Sequence, residues 1–202
     1  MSGEDSGAEM RTFDLKAIRE TLQDSASVDR PAEAWAAVAT ILREGPAGAE
    51  ALFIERAQRA GDPWSGQIAF PGGKREAEDR SLLETAVRET EEEVGIRLDP
   101  ASCFAQLDVV AARTSGVLVA QYVFALARDP RIEARTSAEV SEAFWVPLAE
   151  LARPDLAGTM KYVIGGREVE LPCLHLGSHV LWGLTYRMVL QLLRPFGVSG
   201  GW

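Results

Sequence analysis

Three glutamates spaced for one helix face carry the strongest chemical signal in this chain. The stretch from Gly72 to Ile96, GGKREAEDRSLLETAVRETEEEVGI, ends in a run dense with carboxylates. Taken as a helix from Ser81, it sets Glu89, Glu92 and Glu93 at i, i+3 and i+4, on one side. Like charges at that spacing repel by roughly a few tenths of a kcal/mol per pair. A cation relieves that cost. Oxygen-only donors select a hard ion, so Mg²⁺ or Mn²⁺ is the expected one. Glutamate runs are more often solvated helix faces, and the triplet alone does not define a site. Two features add to it. Leu82, Leu83, Ala86, Val87, Thr90 and Val94 form an apolar stripe beside the acids, which sets them at the border of a core. The pair Gly72-Gly73 lies one tight turn upstream, where backbone can approach a ligand closely.

Such a helix needs a sheet to lie on and a strand to deliver the glycines. Ala51 to Arg56 reads as a strand, and Ala34 to Leu42 as a buried strand candidate whose alanine content would also suit a helix; as strands the two could form a hairpin around the turn Gly45-Pro46-Ala47-Gly48. Gln67-Ile68-Ala69-Phe70 is a short strand running into Pro71-Gly72-Gly73. Phe104 to Ala111 and Val117 to Leu126 are further strands around a turn at Arg113-Thr114-Ser115-Gly116. Ser137 to Glu142 is polar and reads as a loop. Phe144 to Leu148 is a short strand, followed by a helical turn to Leu151. Tyr162 to Ile164 and Arg167 to Leu171 form a hairpin around Gly165-Gly166. Phe13 to Leu22 has helical spacing with Asp14 as N-cap, and Val180 to Leu193 reads as one long apolar helix. Trp182 within it is expected in the core. His175 and His179 stand four apart, but Gly177-Ser178 between them argues against a helix, so they are not read as a metal pair. Asp29-Arg30-Pro31 is a loop. Mixed strands with a few helices give an α/β class.

Composition narrows the partners. A chain of 202 residues suits one domain, taken as 12–202 after a polar, disordered 1–11. The net charge of −9, with no evident basic patch, argues against nucleic acid. No apolar run reaches membrane-spanning length, and the first residues lack the apolar core of a signal peptide. Cys103 and Cys173 read as small core residues in a reducing compartment, and a cytoplasmic protein is expected.

The segment resembles the signature of the Nudix hydrolases, Gly-x5-Glu-x7-Arg-Glu-U-x-Glu-Glu-x-Gly-U, with U a bulky apolar residue. Arg88, Glu89, Glu92, Glu93, Gly95 and Ile96 match its second half, with Thr90 at the first U. In the first half Gly73 is the opening glycine, Asp79 stands where the family has Glu, and one extra residue precedes Arg88. That residue is read as a longer turn that leaves the helix in register. Gly66-x3-Phe70-Pro71-Gly72-Gly73 and Trp182-Gly183-Leu184-Thr185 resemble the coenzyme A pyrophosphatase subgroup. That subgroup has Leu-Leu-Thr-x-Thr and an Arg upstream, where this chain has Phe53-Ile54-Glu55 and Asp62.

The resemblance implies a Nudix-type α/β/α sandwich with a mixed sheet. It implies hydrolysis of a phosphoanhydride in a nucleoside-diphosphate-linked small molecule, with a coenzyme A-like substrate favoured. ADP-ribose, a dinucleotide or a nucleotide sugar is the alternative, and a nucleotide sensor that does not cut is another. It assigns Glu89, Glu92 and Glu93 to Mg²⁺ or Mn²⁺ and gives Arg88 the orientation of a carboxylate, against an ordinary pairing with Glu84. The candidates for the general base are Glu139 and Glu142, Glu139 preferred, against the plainer reading of both as solvated loop acids, or else an acid of the helix itself. Arg56 or Arg59 supplies positive charge for the phosphates beside Gly72 and Gly73, and Trp64 is a weaker candidate for stacking on a base. A homodimer is the family-level expectation.

Overall fold

The computed structural model describes residues 12–25, 34–58, 65–113, 116–126 and 139–200. The readings on 1–11, Asp29-Arg30-Pro31, Arg59, Asp62, Trp64, Thr114-Ser115 and Ser137 lie outside the described residues. The hairpin forms as expected, from β1 (Ala36–Gly45) and β2 (Gly48–Arg56). The two strands pair only near their turn, from Gly45↔Gly48 to Leu42↔Ala51. Beyond it they part, and the chain before the helix fills the gap. There β3 (Ile68–Ala69) pairs with Ile54 and Glu55 of β2, and β4 (Gly72–Lys74) pairs with Ala36 to Val38 of β1. The glycine pair is therefore wedged into the middle of the sheet.

The remaining strands of this sheet are β5 (Cys103–Ala111), β6 (Leu118–Ala125) and β7 (Val140–Pro147). β6 runs parallel to β1; β5 pairs antiparallel with β6, and β7 antiparallel with β2. The sheet is mixed, as expected. Helix α2 (Leu82–Val94) covers one face, packed on Ala37, Ala39, Ile41, Leu52 and Ile54. Helices α1 (Leu15–Ser25) and α4 (Gly183–Leu193) cover the other, with Phe13, Ile18, Leu22, Met188 and Leu192 buried. That is the α/β/α layering. Asp14 caps α1 as read, its Oδ1 accepting from Ala17 N at 2.8 Å. The short α3 (Leu148–Leu151) follows β7.

A second sheet adds β8 (Ala157–Ile164), β9 (Arg167–Leu176) and β10 (His179–Trp182), in the order β10-β9-β8. Gly165 and Gly166 both take positive φ at the β8–β9 turn, which a two-residue hairpin demands.

The structure departs from the sequence expectation in two places. The long helix from Val180 does not form: Val180 and Leu181 pair with His175 and Leu174 as part of β10. The helix starts at Gly183, whose φ of 63° breaks the strand. Apolar runs do not distinguish strand from helix by composition, and partner strands decided here. The polar loop around Glu142 is likewise strand: Val140 to Glu142 begin β7 at an edge of the sheet, where Ser141 and Glu142 are exposed and stay polar.

Candidate functional site

The helix that bears the glutamates is fixed at both ends. Ser81 caps α2, its Oγ accepting from Glu84 N at 3.2 Å, and Gly95 ends it at φ 71°. Ala86 and Val94 are fully buried, and Leu82, Leu83 and Val87 are half-buried against the same core, as the apolar stripe implied. Burying one Val contributes roughly 1.5–3 kcal/mol, which outweighs the repulsion among neighbouring acids. Packing thus forces acids toward the glycines.

Glu93 is 3% exposed, and Gly72 N donates to its Oε2 at 2.8 Å. Burial pushes its carboxyl up to about 8, against the pull of the Gly72 bond. Burial also raises Glu89, offset by neighbouring Arg88. Glu89 lies directly beneath Gly73, where any Cβ would strike its carboxylate. Gly72 has φ 151° and packs on the Ala37 carbonyl, so it too has no room for a side chain.

Arg88 ties the site together. Its Nε and Nη2 donate to Asp79 Oδ1 and Oδ2, both at 3.0 Å. Its Nη1 lies 3.1 Å from Glu89 Oε1 and 3.1 Å from Glu92 Oε2, and Nη2 also donates to the Lys74 carbonyl at 3.1 Å. The pairing with Glu84 does not occur; Glu84 bonds Arg80. Asp79 is 6% exposed and accepts further bonds from Thr85 Oγ1 at 3.0 Å and Glu76 N at 2.9 Å. The Arg88 guanidinium holds the Asp79 carboxyl well below the usual carboxylate range, and Asp79 in turn raises Arg88. The extra residue is absorbed in a turn at Ala77-Glu78, and the shorter acid still reaches Arg88.

A cleft of about 500 Å³ opens over these groups. Gly72, Gly73, Glu89 and Glu93 line it, together with Arg56 and Glu139. Glu92 and Glu142 do not. Glu92 is 58% exposed and turned to Arg88, while Glu142 faces His179 across an edge. Lys74, Arg113 and Arg187 bring further positive charge to the same cleft, a local concentration that the sequence does not reveal. Arg187 is pulled below its ordinary pKa by burial and by neighbouring Arg113. The far wall comes from the second sheet: Tyr162 and Trp182, ring centroids 4.6 Å apart, both line the cleft. Trp182 is therefore half-buried cleft wall rather than core, because it sits at a strand end and not inside a helix.

The donors on the motif side are all carboxylate oxygens, the set a hard divalent ion takes. Raised Glu89 and Glu93, with Glu139 adding like charge to both, are groups that a cation would favour in ionised form. The residues present fit such an ion.

Comparison with solved structures shows the same fold. A MutT/nudix family protein from Enterococcus faecalis superposes with a TM-score of 0.55 at 17% identity, covering 93% of this chain and 81% of that one. The NUDIX domain family model matches residues 33–164. The chain belongs to the Nudix family. Among curated relatives, the human protein named mitochondrial coenzyme A diphosphatase NUDT8 is 33% identical over 71% of this chain. Its mouse counterpart of the same name is 32% identical over 82% of this chain. The match spans 63% of the human protein's length and 80% of the mouse protein's. Among the described residues, no helix is long and apolar enough to cross a membrane. Both Cys103 and Cys173 are free thiols; Cys173 is buried and Cys103 half-buried.

Proposed function

We propose that the chain is a divalent-metal-dependent hydrolase of the diphosphate bond in a nucleoside-diphosphate-linked small molecule, with a coenzyme A-like substrate favoured. One observation carries the reading: Glu89 and Glu93 share a cleft with Arg56 and Glu139 on a floor of two side-chain-free glycines. Glu89, Glu92 and Glu93 are the residues that would hold Mg²⁺ or Mn²⁺. An ion held there would supply charge neutralisation on the phosphates and a more acidic bound water.

The chain's own residues do the rest. Gly72 and Gly73 line the cleft floor where a diphosphate would sit, and the bare Gly73 leaves room for the Glu89 carboxylate beside the backbone. Arg56 offers its guanidinium to phosphate oxygens in planar, bidentate fashion. Arg88 positions Glu89 and Glu92 while it is itself held by Asp79. Glu139 takes the proton of the attacking water as its oxygen bonds to phosphorus and the bridging P–O bond breaks. The coenzyme A preference is supported by the names of the two mammalian relatives and by Gly66-x3-Phe70-Pro71-Gly72-Gly73. A cytoplasmic location is proposed from the two free cysteines, which suit a reducing compartment.

The test is product release with Mg²⁺ or Mn²⁺ across coenzyme A, ADP-ribose, dinucleotides and nucleotide sugars. Fastest turnover is expected on coenzyme A. Tight binding of one compound with no turnover of any would replace the hydrolase with a nucleotide sensor.

A further inference from the structure

Away from the glycine pair, three potential ligands from three strands converge. Glu55 of β2, Glu142 of β7 and His179 of β10 each present one donor atom, and these atoms all lie within 4.8 Å of one another. Among the described residues this is the one set of three His, Cys, Asp or Glu donors drawn so close.

Glu55 and Glu142 stand directly opposite each other in the β2–β7 register. Like charges at such a position destabilise a strand pair. His179 faces both. Its Nε2 is 3.4 Å from Glu55 Oε2 and 3.6 Å from Glu142 Oε2. These separations exceed those of ordinary N–H···O hydrogen bonds, about 2.7–3.2 Å. They are close to the spacing of donors around a tetrahedral ion: ligand atoms about 2.0–2.1 Å from Zn²⁺ stand about 3.3–3.4 Å apart. The imidazole is fixed from the side by Phe144, stacked at 4.4 Å and 9°. Glu55 and His179 are partly shielded, with side chains 29% and 21% exposed, while Glu142 is open to solvent at 56%.

We propose that Glu55, Glu142 and His179 form a second metal site, selective for a transition ion of the Zn²⁺ type and distinct from the motif glutamates. One nitrogen and two carboxylate oxygens suit Zn²⁺, and an open fourth position is left for water. Mg²⁺ disfavours the nitrogen donor, so the two sites sort different ions. The site clamps the second sheet to the edge of the first. Each ligand also lies close in sequence to a cleft residue: Glu55 precedes Arg56, Glu142 follows Glu139 by three, and His179 precedes Trp182 by three. A bound ion therefore pins the cleft's far wall against its charged side.

The test uses the full chain carrying Glu89→Gln, Glu92→Gln and Glu93→Gln, which removes the three motif acids, titrated with Zn²⁺ in millimolar Mg²⁺. One Zn²⁺ per chain is expected. Its affinity falls by about tenfold or more in His179→Ala and in Glu142→Gln, since loss of a ligand costs at least what loss of an outer partner does. Co²⁺ in place of Zn²⁺ gives a visible d–d spectrum that both variants lose. Glu142 is the more exposed ligand, so Glu142→Gln keeps the fold and guards against a collapsed His179 variant. No Zn²⁺ uptake, or uptake unchanged in a folded Glu142→Gln, would overturn the proposal.

Discussion

Arg88 grips Asp79 with two nitrogens, Nε on Oδ1 and Nη2 on Oδ2, each at 3.0 Å. The same guanidinium reaches Glu89 and Glu92. The turn before the helix is thereby welded to the acids on it. Asp79→Asn should lower stability by about 2 kcal/mol, the usual size of a hydrogen bond to a charged partner. It should also lower activity by roughly 10–100-fold through a misplaced Arg88. Urea unfolding and steady-state kinetics on the same preparation check both. The pH sign follows from the depressed carboxyl. Its stabilisation is full above the ordinary value of 3.8 and is lost as pH falls through the lower folded value. The wild type should therefore lose more stability than Asp79→Asn on acidification below about pH 4.

Glu93 has the opposite sign. Its carboxyl is raised from 4.5 to about 8, so between those values the folded chain holds a proton that the unfolded chain has released. Stability in a chelator should fall as pH rises through that window, and the Glu93→Gln variant should show a flatter profile. Adding Mg²⁺ should reverse the decline and release protons, which calorimetry in two buffers of different ionisation heat would count.

The two glycines fail differently. A methyl at Gly73 meets the end of the Glu89 side chain, which can swing aside. Gly73→Ala should keep its melting temperature within a few degrees and lose metal affinity. A methyl at Gly72 meets the Ala37 carbonyl at a φ of 151°. Gly72→Ala should cost about 1–3 kcal/mol of stability, the scale of local backbone strain. Equal losses of stability in the two variants would contradict the placement of Glu89 beneath Gly73.

Much of this was legible in the residues. The β1–β2 hairpin, the cap and register of α2, and the Gly165-Gly166 turn each follow from local signals. Where the sequence reading failed, a distant partner decided. Val180 and Leu181 carry no helical or strand preference strong enough to resist pairing with β9. Asp79 looked like a departure from the family pattern, yet it is the buried anchor of Arg88, nine residues away. Only the sheet geometry reveals that Lys74, Arg113 and Arg187 meet Arg56 in one cleft, since they are scattered over more than a hundred residues. The same holds for Glu55, Glu142 and His179, which no spacing rule connects.

The most direct measurement of the central claim is kcat of Glu93→Gln with saturating Mg²⁺ on the best diphosphate substrate, beside a circular dichroism spectrum. The site as described predicts a native spectrum and a fall in kcat of about a hundredfold or more, beyond the cost of losing an outer-sphere partner. A kcat within threefold of wild type, roughly 0.6 kcal/mol in barrier height, would contradict the assignment of metal-assisted chemistry to this helix.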